Sequence, residues 1–314
     1  MFPRHLPARV AFLAVVLSAW GQAAAPAATP APAPTTRPIP AVEHVFIISI
    51  DALRPDKALQ ANMPTLRAML KEGTYTFWAR TTDLAITLPS HASMVTGVTP
   101  QKHGITWNDD SRPGVYPNQP TVMAMATRAG YVTAMAAGKS KFASLNPPGT
   151  ITHVWVPSGT NAKDNNNSVI EQAAKMIEAD KPALMLIHFP DTDTVGHAKG
   201  WASPEYLAAV DKADTGLAAI LAALDRAKIR GSSIVIVTAD HGGQGKTHGA
   251  GDERSLNIPW VITGPGVRHG YDLTDIVPLV VHTEDTAATA CWLLGLPLPD
   301  YFDGKVLADA FVKQ

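Results

Sequence analysis

Three predominantly apolar runs punctuate the chain, at residues 45–50, 183–189 and 234–237. None alternates with polar positions, so each reads as a strand covered on both faces rather than one with a wet side. Acidic residues follow every run: Asp51 after the first, Asp191 and Asp193 after the second, and Asp240 with His241 after the third. Between the last two, Tyr206, Leu207, Val210, Leu217, Ile220 and Leu221 recur at near-helical spacing, which predicts an amphipathic helix over 203–227. Alternation of strand and helix predicts an α/β fold: a largely parallel central sheet with helices on both faces. In such sheets ligands bind beyond the carboxyl ends of the strands, which is where these carboxylates fall.

A fourth apolar run, at residues 10–20, differs in kind. Arg4 and Arg9 precede it and Gln22-Ala23-Ala24-Ala25 follows, the pattern of an export signal over 1–25. The run is too short to span a bilayer, so no membrane span is expected once the signal is removed. Residues 26–41 are rich in Ala, Pro and Thr and read as a polyproline-biased tether. No repeat or second linker follows, which predicts one domain over 42–314 in a periplasmic or secreted protein. The sole cysteine, Cys291, excludes an intramolecular disulfide and a thiolate metal cluster, and its apolar surroundings suit a small core residue. With 17% charged residues and a net charge of -1, the chain lacks the basic field that holds a nucleic-acid duplex. Any recognition of phosphate must be local.

The chain has 11 histidines, several of them beside Asp or Gly rather than on apolar faces. Asp193 and His197 stand four apart, Asp240 and His241 are adjacent, and His248 follows in a polar loop. Carboxylate oxygen with imidazole nitrogen is a donor set that zinc accepts where a position must stay open to substrate. In TTDLAITLPSHASMVTGVTPQKHG, Thr87 precedes a helix predicted over 89–98 and would sit at or near its N-cap. The free N–H groups of a helix start favour an anion, so the hydroxyl suits phosphoryl chemistry; plain capping is the other reading.

Ordered along the chain are Asp51, Thr87-Leu88-Pro89-Ser90-His91, Thr96-Gly97, His103-Gly104-Ile105, Asp193 to His197, Asp240-His241-Gly242 and Thr247-His248-Gly249. This series resembles the alkaline phosphatase superfamily, in particular its type I phosphodiesterase/nucleotide pyrophosphatase branch, and is similar also to phosphonoacetate hydrolase and threonine-nucleophile phosphatases. The resemblance implies a hydrolase of phosphoric esters acting on a small phosphorylated substrate, with two Zn2+ ions and Thr87 as nucleophile. It implies one zinc on Asp193, His197 and His248, and another on Asp51, Asp240, His241 and Thr87. Its Asp-to-His spacing selects Asp193 over Asp191. It implies further that Asn108 contacts phosphate and that Lys139 and Lys141 match a lysine pair of monoester-cleaving branches. Sulfatases share the fold, but Thr87-Leu88-Pro89-Ser90-His91 lacks both their modifiable residue and their arginine. Phosphonate hydrolysis and an exported binding protein without catalysis are the remaining alternatives.

Overall fold

A computed structural model describes residues 1, 36–158 and 165–313. The expected export signal beyond Met1 and the expected tether up to residue 35 lie outside the described residues. The described residues from 36 onward form one compact unit built on a single eight-stranded sheet. The strands are β1 (His44–Ile50), β2 (Thr74–Arg80), β3 (Thr133–Ala137), β4 (His153–Trp155), β5 (Leu184–Phe189), β6 (Ser233–Thr238), β7 (Asn257–Thr263) and β8 (Tyr271–Asp272). Their order across the sheet is β4-β3-β5-β1-β6-β7-β2-β8.

The three apolar runs of the sequence are neighbours, β5-β1-β6, and all are parallel. Every residue of these strands is buried, which requires cover on both faces. Helices supply it: α1 (Pro55–Gln60), α2 (Pro64–Glu72), α3 (Thr87–Thr96), α4 (Pro100–His103), α5 (Val122–Arg128), α6 (Asn166–Asp180), α7 (Asp191–Lys199), α8 (Pro204–Arg226), α9 (Glu253–Leu256) and α10 (Asp285–Leu293). Helix α8 packs with α1, α2, α6 and α7, whereas α3 packs with α4, α5 and α10. None of these helices is long and apolar enough to cross a membrane.

Register brings the site together. Ser49 of β1 lies level with His188 of β5 and Thr238 of β6, so the three strands end side by side. Strand β7 departs from the parallel pattern, running antiparallel to both β6 and β2. The chain therefore starts β7 at the same end of the sheet where it left β6. That keeps residues 239–256, with Asp240, His241 and His248, over the carboxyl ends of the strands.

Several sequence expectations shift. Helix α3 begins at Thr87 rather than at Pro89, its N-cap is the extended Ile86, and no side chain caps it. Thr87 is the first helical residue, not a cap. Ile39, within the expected tether, is buried and would touch a Cβ placed on Gly266. A lone apolar side chain next to an apolar cleft packs even when its neighbours are prolines. The long helix matches its expected span, with Ser203 accepting the N–H of Tyr206 at its start. Cys291 is fully buried in α10, and burial pushes its thiol up to about 12.

Candidate active site

Asp51 follows β1, Asp193 and His197 lie on α7 just after β5, and Asp240, His241 and His248 follow β6. His197 Nε2 and His248 Nε2 stand 3.4 and 3.6 Å from Asp193 Oδ1, and 3.1 Å from each other. His241 Nε2 stands 3.5 Å from Asp51 Oδ1, 3.3 Å from Asp240 Oδ2 and 3.4 Å from Thr87 Oγ1. The donor atoms of Asp193, His197 and His248 all lie within 4.8 Å of one another, as do those of Asp51, Asp193 and His241. Asp193 thus adjoins both groups, while Asp240 reaches the second through His241.

Hydrogen bonding fixes which nitrogens are bare. His197 Nδ1 donates to Lys246 O at 3.1 Å, His241 Nδ1 to Gly242 O at 2.8 Å and His248 Nδ1 to Ala85 O at 2.9 Å. A carbonyl only accepts, so in each neutral ring Nε2 carries a lone pair. Burial, then the neighbouring His248, lowers His241 to about 4; burial lowers His248 as well, so these rings stay neutral near pH 7. Three histidine Nε2 atoms thus face Asp51 Oδ1, Asp193 Oδ1 and Asp240 Oδ2, buried oxygens with no hydrogen-bond partner among the described residues. Lone pair against lone pair is repulsive unless a cation lies between, and the donor set fits a divalent metal.

Charge leads to the same place. Burial and then Asp51 push the Asp240 carboxyl well above its ordinary range. Asp51 is opposed by burial too, but Lys139 and His188 outweigh it and hold its carboxyl well below that range. Lys139 Nζ lies 2.6 Å from Asp51 Oδ2 and 2.6 Å from Asp193 Oδ2. Burial disfavours its charge, yet the two carboxylates prevail and raise its pKa. Lys139 is therefore not a solvated lysine. Nor is it directed freely at a phosphate, since two of its three N–H groups are committed to aspartates.

Lys141 differs from its neighbour. Its Nζ donates to Asn108 O at 2.7 Å and lies 3.3 Å from Asn108 Oδ1, which also accepts the Leu88 N–H at 2.9 Å. With Oδ1 so engaged, the Asn108 amide nitrogen keeps both its hydrogens for a ligand at the start of α3. Asp191 faces elsewhere: its Oδ1 accepts the Asn166 N–H at 3.1 Å, and its own N–H reaches Asn166 Oδ1 at 3.2 Å. Asp193 is the carboxylate in the site.

Other participants escaped the sequence reading. His188 Nδ1 accepts the Gly138 N–H at 3.2 Å, so its Nε2 donates to Asp51 Oδ2 at 2.8 Å. A histidine inside an otherwise apolar strand was the available signal. His91 donates through Nδ1 to Thr87 O at 2.8 Å and accepts from Ser49 Oγ at 2.8 Å. Trp201 is fully buried and donates its indole N–H to Ala52 O at 3.2 Å. Ala52 and Ala85 hold φ of 60° and 46°, a left-handed conformation that costs on the order of 1–3 kcal/mol for a residue with a Cβ. Both support the site, because the Ala52 N–H donates to Asp240 Oδ1 at 3.0 Å and Ala85 O holds His248.

Known proteins resemble the chain in sequence and in fold. The chain is 25% identical over 300 residues to the catalytic subunit of human GPI ethanolamine phosphate transferase 2, covering 90% of this chain and 29% of the relative. It is 27% identical over 220 residues to human ectonucleotide pyrophosphatase/phosphodiesterase family member 5, covering 65% of this chain and 45% of that one. The chain thus spans less than half the length of these curated relatives. In fold it is similar to murine ectonucleotide pyrophosphatase/phosphodiesterase 5 in complex with AMP, with a TM-score of 0.71 at 16% identity over 86% of this chain and 100% of that one. The sequence profile of the type I phosphodiesterase/nucleotide pyrophosphatase family matches residues 45–250, from β1 through the loop that carries His248. The chain belongs to that family, within the alkaline phosphatase superfamily.

Proposed function

We propose that the protein is an exported di-zinc hydrolase of phosphate esters that works through a covalent phosphothreonine at Thr87. The observation that carries this reading is the convergence of three histidine Nε2 atoms on three orphaned carboxylate oxygens, with the Thr87 hydroxyl 3.4 Å from one of those nitrogens. Asp193, His197 and His248 would hold one zinc; Asp51, Asp240 and His241, with Thr87, would hold the other. Zinc so held supplies a Lewis acid that favours the ionised hydroxyl and the departing oxygen.

The chain's own groups do the rest. Thr87 Oγ1, having lost its proton, bonds to phosphorus as the bond to the leaving oxygen breaks. Water then cleaves the Oγ1–P bond, which restores the hydroxyl and releases the phosphate. The Asn108 amide and the start of α3 hold the non-bridging oxygens. His197, its side chain 47% accessible, marks the open side through which a small phosphorylated substrate enters. The AMP held by the murine relative favours nucleotide esters as substrates. The apolar run at 10–20, with its preceding arginines, supports action in the periplasm or outside the cell.

One preparation tests the reading. Zinc content is measured alongside rates on a phosphate monoester, a phosphate diester, a phosphonate and a sulfate ester. Two zinc equivalents, fastest turnover of a phosphate ester and a phosphoryl adduct on Thr87 are expected. Preferred sulfate hydrolysis, or bound zinc without turnover of any ester, would overturn it.

A further inference from the structure

Lys139 Nζ contacts only Oδ2 of Asp51 and only Oδ2 of Asp193, at 2.6 Å each. His188 shares the Asp51 Oδ2 contact, and Oδ1 of both aspartates is left buried and unpaired. The lysine side chain is itself largely buried, at 14% accessible. One ammonium thus ties a carboxylate from the end of β1 to a carboxylate from α7, and it turns the remaining oxygen of each toward the histidines. We infer that Lys139 is a built-in counter-cation joining the two halves of the metal centre: it ties Asp51 to Asp193 whenever metal is removed and weakens the binding of metal there. The inference rests on the proposed metal site.

Two effects of the lysine oppose each other, and their sizes decide the sign. By orienting Asp51 and Asp193 before metal arrives, Lys139 lowers the cost of ordering two short side chains. By standing against the same two carboxylates, it places a positive charge within a few ångströms of any divalent ion they hold. Repulsion in a buried site is weakly screened and falls only as the first power of distance, whereas the ordering cost of a buried aspartate is small. Repulsion should prevail. In the metal-free protein the sign reverses, because the lysine is then the nearest compensating charge for both aspartates.

The test uses Lys139→Met, of similar length and uncharged, with Lys139→Arg to restore the charge. Each full-length protein is loaded with zinc, titrated with a chelator of known affinity, and melted both before and after stripping. For the Met variant we expect zinc held at least tenfold more tightly than in the native protein, with the metal-free form melting several degrees lower. The Arg variant should fall close to the native protein in both measurements. A residue that merely packs would leave zinc affinity unmoved or weakened in the Met variant. Unchanged or weaker affinity, or failure of the Met variant to fold even with zinc present, overturns the inference while leaving the metal site standing. A native protein that binds no zinc overturns both.

Discussion

The indole of Trp201 lies against Gly196 so closely that a Cβ on that glycine would stand 2.5 Å from Cε2. Gly243 approaches the same ring, where a Cβ would meet Cε2 at 2.4 Å. Gly196 lies between Asp193 and His197 on α7, and Gly243 follows His241, so one ring sets the spacing between the two arms of the site. Gly196→Ala and Gly243→Ala should each destabilise the fold by about 1–3 kcal/mol, the usual cost of overpacking, and weaken zinc binding as well. Urea unfolding with parallel metal analysis checks this; a stable variant with native zinc content would mean that the ring moves aside freely.

Thr87→Ala should lower kcat by roughly 10³-fold or more, because the proposed nucleophile is gone while its neighbours stay in place. Among the described residues its hydroxyl makes one side-chain hydrogen bond, to His241, so fold and zinc content should stay near native. Thr87→Ser, which keeps the hydroxyl, should retain measurable turnover. Steady-state kinetics on the three proteins decides, and near-native turnover by the Ala variant removes the covalent route.

His241→Ala and Asp240→Asn should each lose one zinc equivalent, and the loss should lower thermal stability, since a metal that binds only the folded chain stabilises it. Elemental analysis of dialysed protein reads the first effect and a melting curve the second. Two equivalents retained in both variants would sink the ligand assignment.

Lys141 is the lysine left to sense substrate charge, standing beside Asn108 at the start of α3. A monoester dianion carries more charge than a diester, so the contact should matter more for the monoester. Lys141→Ala should depress monoester kcat/KM at least tenfold more than diester kcat/KM, out of the roughly 10²–10³ that a lost charge-assisted contact costs in such sites. Equal losses on both esters would show that Lys141 serves only to position Asn108.

Glu284 lies far from this chemistry in the sequence, yet it gives the fold a pH dependence. Burial raises its pKa from 4.5 to about 7. A folded value above the unfolded one favours the folded state fully below about 4.5, and that advantage is lost as pH rises through about 7. Glu284→Gln should flatten the stability profile across this window and gain up to about 3 kcal/mol over the native protein at pH 8. Denaturation at pH 5 and pH 8 tests the sign, and parallel profiles for both proteins would refute it.

Much of the fold was legible because β1, β5 and β6 carry predominantly apolar runs, and a strand buried on both faces has few other ways to look. The carboxylates after those runs were legible for the same reason, being the first acidic residues past each strand. Strand β7 was not, since its antiparallel direction is set by how the chain returns after β6 and not by its composition. Asp191 and Asp193 were separated by family spacing alone; the geometric reason, a reciprocal pair between Asp191 and Asn166, joins residues 25 apart in sequence. Lys139 was the hardest to read. Its type suggested a phosphate, but its position after β3, next to β5 in the sheet, aims it at Asp51 and Asp193. Only the strand order reveals that.

That strand order also governs how the chain comes into being. Strand β1 is synthesised early, yet the two strands that flank it begin at Leu184 and Ser233. At roughly 5–20 residues per second, the ribosome needs about 7–28 s to supply even the first neighbour. During that interval an apolar segment with unpaired backbone groups has no lawful partner within the same molecule, and another copy of itself is the nearest substitute. A chain of this design depends on being kept apart from its siblings until its last third has been made.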